Sequence, residues 1–144
     1  MKTIAELQPQ IIEWAKNKGL IKPENAPKQY LKFLEEVGET AKAILKEDEK
    51  EIIDGFGDIA VTVIILADQI DNDLLFSENS FLGETYFDEL LEMVNTKIVD
   101  QDVLFMLNTL CQKYGYTLQQ CLNAAWGEIK GRTGKTVDGV FVKD

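Results

Sequence analysis

The stretch Glu35-Glu36-Val37-Gly38-Glu39, and after a polar break Glu51-Ile52-Ile53-Asp54-Gly55-Phe56-Gly57-Asp58, decides how this chain is read. It puts six carboxylates at helical spacing on two segments that a short turn would fold against each other. The first segment extends to a helix over 27–46. There Tyr30, Phe33, Leu34, Val37, Ala41, Ile44 and Leu45 fall on one arc, and Lys28, Lys32, Glu35, Glu36 and Glu39 on the opposite one. The second extends to a helix over 49–70, with Glu51, Asp54, Gly55, Asp58 and Thr62 on one face and an almost wholly apolar run from 59 to 67. That run marks the most buried helix. Gly55 and Gly57 would each cost about 1 kcal/mol inside a helix. Either the helix is locally weak there or a neighbour comes close.

Outward from this pair, residues 3–18 carry the stripe Ile4, Leu7, Ile11, Ile12 and Ala15 behind the capping residue Thr3. Pro9 is expected to split off the first turn of that helix, and Trp14 to lie near its core face. Residues 22–27 form a loop and 47–50 a polar turn. Residues 71–85 read as a connection pinned by Leu74, Leu75, Phe76, Phe81 and Leu82. Helical patterns return at 85–97, 100–114 and 117–130, with Gly115 as a stop and Thr117 as a cap. In the tail, Asp138-Gly139 between β-branched residues marks a small hairpin or extended arm. The expected fold is all-α: one domain over 1–144, an antiparallel bundle of five to six helices with that C-terminal arm.

Composition narrows the chemistry. The chain has 144 residues, no histidine, two cysteines and a net charge of −10. Without histidine there is no His-based triad or acid–base chemistry, no His-ligated zinc, and no Glu-x-x-His pair for a di-iron bundle. The negative charge argues against nucleic-acid polymers and anionic membranes as partners. The apolar run is too short to span a bilayer. Cys111 and Cys121 read as reduced thiols of a cytoplasmic protein with no signal peptide.

The carboxylates remain as the chemical feature. Like charges at i, i+3 and i, i+4 repel one another, and Asp58 borders the apolar run, where an unpaired charge is costly. A solvated face relieved by Lys28, Lys32 and Lys42 is one account. The other is a cation site, because oxygen ligands alone favour Mg²⁺ or Mn²⁺, which usually meets substrate phosphates. Lys130, Arg132 and Lys135 at the end of the last helix can serve as dipole partners or grip a polyphosphate. Trp126, one turn before Lys130, is core or a base-stacking ring.

Glu35-Glu36-Val37-Gly38-Glu39 with Asp54-Gly55-Phe56-Gly57-Asp58 resembles the Glu-Glu-x-x-Glu…Glu-x-x-Asp signature of the all-α NTP pyrophosphohydrolases, a group that includes the MazG proteins and dimeric dUTPases. The small single-domain MazG-like proteins of phages and their hosts are the nearest look. Gln29 and Lys32, the run 59–67, the stretch 125–135 and Gly139-Val140-Phe141-Val142-Lys143 also resemble that group. The resemblance implies Mg²⁺-dependent cleavage of nucleoside triphosphates to monophosphate and pyrophosphate, by homodimers or homotetramers. It makes Glu36, Glu39 and Asp58 metal ligands, with Glu35 a ligand or a base for water. It places Lys130 and Arg132 on phosphates, with Gln29, Lys32 and Lys135 as further substrate contacts. Gly55 stands where that signature has a glutamate, and Asp54 or Glu51 could replace it. Gly127 and Gly131 also stand at polar family positions, which keeps a nucleotide- or metal-binding regulatory protein as the alternative.

Overall fold

A computed structural model describes residues 1–71, 91 and 101–144. Helix α1 spans Ile4–Asn17, capped by the Thr3 hydroxyl, which accepts from the Glu6 N–H at 3.2 Å. A 3₁₀ turn, Pro23–Asn25, leads into α2, Ala26–Leu45. Helix α3 spans Glu49–Gln69, capped by the Asp48 carboxylate. Helices α4, Gln101–Lys113, and α5, Leu118–Ile129, follow, the latter capped by Thr117. Strands β1, Gly134–Val137, and β2, Val140–Lys143, close the chain as an antiparallel hairpin. The all-α bundle with a C-terminal hairpin read from periodicity is therefore the observed fold, and the helix ends fall within about two residues of expectation. The connection read at 71–85, with its apolar pins, and the helix read at 85–97 lie outside the described residues, apart from Asp71 and Leu91.

Two expectations fail. On α2, Leu34, Ala41 and Leu45, read on the apolar arc, are exposed, and Glu36, read on the opposite arc, is buried, because the helix packs on α3 through the row Gln29, Phe33, Glu36, Thr40 and Ala43. Helix α1 runs unbroken through Pro9. The ring removes a single intrahelical donor, and Leu7 and Ile11 on either side are fully buried. Their packing holds the first turn in place.

Helix α3 is the axis of the molecule, buried at every position from Ile59 to Ala67, and it packs most extensively on α2 and α5. Its two glycines explain how. A Cβ on Gly55 would stand 3.0 Å from Thr40 Cβ and 3.2 Å from Thr40 Cα, and would collide with the hydroxyl. A Cβ on Gly57 would stand 2.8 Å from Ala125 Cβ and press into the Cys121 carbonyl. So Gly55 admits α2 and Gly57 admits α5; close neighbours, not a weak helix, account for both. Cys111 and Cys121 are free and buried.

The α2–α3 turn reverses the chain tightly. Glu47 takes a left-handed φ of 55°, and Asp48 N–H donates to Ala43 O at 3.1 Å. The helices then run antiparallel, with Thr40 meeting Gly55 and the Gln29 amide donating to Thr62 O at 3.2 Å. Between those two levels lie Glu36 and Asp58.

The hairpin turn uses Asp138 (φ 52°) and Gly139 (φ 83°), both left-handed as a two-residue type I′ turn requires. The hairpin folds back onto α1. Thr136 donates through N–H (3.1 Å) and hydroxyl (2.7 Å) to Lys18 O, and Phe141 meets Trp14 edge to face at 5.0 Å.

Candidate functional site

Helix α2 turns Gln29, Phe33, Glu36, Thr40 and Ala43 inward, one row at helical spacing. Glu36 is the charged member, only 8% exposed. Its Oε1 lies 3.6 Å from Lys32 Nζ, while its Oε2 is buried with no hydrogen-bond partner among the described residues. Burial, then the charges of Asp58 and Glu39, push the Glu36 carboxyl up to about 7 against the pull of Lys32. Across the seam, burial followed by Glu128 and Asp54 pushes Asp58 up to about 6, and Arg132 opposes this. An orphaned carboxylate oxygen beside a second raised carboxylate is a place short of positive charge.

The other carboxylates sit further out. Glu35 is half exposed and ion-paired with Lys32 at 2.5 Å. Glu39 is exposed, yet its charge acts on both Glu36 and Asp58. Asp54 pairs with Lys50 at 3.4 Å, and Glu51 is exposed near the start of α3. Among the described residues no three carboxylates or thiols stand close enough to form a finished cation cage. Glu36, Glu39, Asp58 and Asp54 are electrostatic neighbours around the α2–α3 seam. Their all-oxygen chemistry, and the unpartnered Glu36 oxygen, fit a hard divalent cation.

A side chain at Gly55 would first meet Thr40 of α2, its Cβ standing 3.0 Å from Thr40 Cβ.

A cavity of about 320 Å³ opens beside the two raised carboxylates. From the Glu36–Asp58 level it continues past Gln29 and Thr62 to Ile65 and Leu20. Its far wall is the hairpin, through Gly139, Val140, Phe141 and Lys143, with Trp14 behind. Lys28, Lys32, Arg132 and Lys143 also line it, four cations against two carboxylates in a protein of net charge −10. The cavity therefore combines a cationic lining with apolar and aromatic surface.

Of the residues singled out from sequence, Gln29, Lys32, Glu36, Asp58 and Arg132 are brought together on this cavity. Lys130 is exposed at the end of α5 and is not on its wall. Lys135 lines a separate depression with Lys18, Lys22 and Thr136. Trp126 is half buried against the core. Sequence reasoning assigned no role to Trp14, Phe141, Lys143 or Glu128. Phe141, Lys143 and Glu128 lie within stretches that carried the family resemblance; Trp14 gave no signal beyond helical spacing.

Residues 25–85 match the family described as the MazG nucleotide pyrophosphohydrolase domain. An uncharacterized 18.2 kDa protein of the rep-hol intergenic region of Haemophilus phage HP1 (strain HP1c1) is 33% identical over 69 residues, 48% of this chain. That alignment spans 42% of the phage protein, so the chain covers well under two thirds of its relative. No solved structure gives a significant match. The stretch bearing both carboxylate clusters lies within the residues that match this family.

Proposed function

We propose that the protein is a divalent-cation-dependent nucleoside triphosphate pyrophosphohydrolase, converting (d)NTP to (d)NMP and pyrophosphate. The supporting observation is the cavity itself, where a cationic lining adjoins two raised carboxylates and an aromatic wall. In this reading the reaction adds water at the α phosphorus and breaks the α–β anhydride.

Lys32, Arg132, Lys28 and Lys143 bind the triphosphate oxygens. The hairpin and Trp14 give the nucleoside an apolar surface and keep bulk water from that side. Glu36, Glu39 and Asp58, with Asp54 beside them, would hold Mg²⁺ or Mn²⁺. Such a cation neutralises phosphate charge during the transfer. Glu35, ion-paired with Lys32, would orient the water as its base. The protein acts as a homodimer or homotetramer in the cytoplasm, house-cleaning nucleotide pools rather than binding polynucleotides.

The test is incubation with a panel of dNTPs and Mg²⁺, reading monophosphate and pyrophosphate. Absence of turnover across the panel, by protein that keeps its helical circular dichroism, overturns the hydrolase reading. A nucleotide-binding regulatory protein is the second reading, favoured by the absence of a finished cation cage among the described residues. It expects stabilisation of roughly 1–3 kcal/mol by Mg²⁺ plus nucleotide without product.

A further inference from the structure

One polar side chain in the wall of the cavity is held by one end only. Gln29 is 5% exposed and lines the cavity between the Glu36–Asp58 level and the apolar end at Leu20 and Ile65. Its Nε2 donates to Thr62 O at 3.2 Å. A main-chain carbonyl can only accept, so this contact fixes which way round the amide sits. Oε1, the other end of the amide, accepts no hydrogen bond among the described residues. Unlike Glu36 Oε2 it is not sealed inside the protein, and the space its side chain borders is the cavity.

Thr62 lines the cavity at the same level and is 6% exposed. Its hydroxyl gives its single proton to Ile59 O at 2.7 Å, which leaves lone pairs alone to offer a ligand. Two acceptors therefore mark this level. The donors of the lining stand elsewhere. Lys32 and Arg132 act on the two carboxylates. Lys28 lies against the hairpin turn, and the indole N–H of Trp14 is buried out of a ligand's reach.

From these groups we infer that the cavity selects nucleotides whose base carries an amino group on its Watson–Crick edge, with Gln29 Oε1 as the atom that reads it. This rests on the triphosphate occupancy proposed for the reaction. With the phosphates at Lys32, Arg132 and the carboxylates, the base reaches the Gln29–Thr62 level, between the apolar surfaces of Ile65 and Phe141. Cytosine and adenine bring an N–H to that edge. Uracil and hypoxanthine bring a carbonyl oxygen to the same place, so two acceptors face each other without a proton between them. The amide cannot turn over to suit an oxo base, because Oε1 would then face Thr62 O.

Titration calorimetry with the uncleavable α,β-methylene analogues of dCTP, dUTP, dATP and dITP in Mg²⁺ tests this. Each amino base is expected to bind at least about tenfold more tightly than its oxo counterpart. Gln29→Met, similar in shape but without the acceptor, should bring both pairs to within about twofold by weakening the dCTP and dATP analogues alone. Gln29→Asn, which keeps the amide but draws it back, should narrow the ratios in the same direction and serves if Gln29→Met loses its helical circular dichroism. Equal binding of amino and oxo bases by wild type, or a preference for the oxo bases, overturns the inference and leaves the triphosphate reading standing. A wild-type preference that persists undiminished in the folded variants overturns the role of Gln29. Failure to bind any of the four analogues overturns the inference together with the triphosphate reading. Because the analogues are not cleaved, loss of hydrolysis and loss of base selection are read separately.

Discussion

Two successive levels of the α2–α3 seam differ sharply. At Thr40 and Gly55 the helices touch almost backbone to backbone, with no room for one extra carbon. One turn along, Glu36 and Asp58 bring two carboxylates to the same seam and border a cavity. The tight level creates the conditions for the charged one. Gly55 lets α2 come close, Glu36 faces inward from its row one turn away, and its Oε2 is buried without a hydrogen-bond partner among the described residues. The glycine that interrupts the row of carboxylates is thus also the residue that lets α2 approach beside Glu36.

The strongest way to break that contrast is Gly55→Glu, which supplies the glutamate of the signature that this stretch resembles. A larger side chain forced against Thr40, and a charge buried with it, should destabilise the protein by roughly 3 kcal/mol or more. Urea denaturation checks this, and Thr40→Gly in the same background should recover part of the loss. A Gly55→Glu variant as stable as wild type, with tighter Mn²⁺ binding, would show that the position is a vacant ligand seat after all.

Glu36→Gln sharpens the charged level. The Glu36 carboxyl titrates at about 7 in the folded protein, above its ordinary value of 4.5. The folded state therefore holds the proton more tightly than the unfolded chain between those values. Stability from this group is complete below about pH 4.5 and is lost as pH rises through about 7. In the absence of divalent cation, wild type at pH 8 should be weaker than at pH 4.5 by an amount on the order of 2–3 kcal/mol that Glu36→Gln lacks. Denaturation curves of both proteins across this window give the difference directly. Mg²⁺ should remove it in wild type, and a pH dependence identical in the two proteins would mean that Glu36 is solvated or already paired.

Both experiments turn on information that the sequence holds unevenly. Helix periodicity reveals Phe33, Val37 and the buried run of α3, because burial of one face imposes a 3.6-residue repeat on a single segment. Thr3 and Thr117 are legible as caps, and Asp138-Gly139 as a hairpin turn, for the same local reason. The pairing of Thr40 with Gly55 is not local. Two readings of the glycine stayed open until the helix register was known. The hairpin wall of the cavity is harder still: Phe141 is exposed-strand sequence until it meets Trp14 from the other end of the chain. Pro9 misleads in the opposite direction, since a local rule is overridden by burial of its neighbours.

The smallest expected effect concerns the basic cluster at the end of α5, which reads as one unit in sequence and is divided in space. Arg132 lines the cavity and its charge acts on Asp58; Lys135, three residues on, belongs to the strand and lines a different depression with Lys18 and Lys22. If the cavity takes the triphosphate, Arg132→Ala should raise KM by about tenfold, the size of one charge-assisted contact. Lys135→Ala should change KM by less than about twofold, because a cation outside the cavity acts only through screened solvent. Among the described residues neither side chain forms an ion pair, so both variants should melt with wild type. Steady-state kinetics on the best dNTP of the panel, or titration with a non-hydrolysable analogue, separates the two. Equal losses from both substitutions would mean that phosphates bind across the hairpin rather than behind it, and would move the site off the Glu36–Asp58 level.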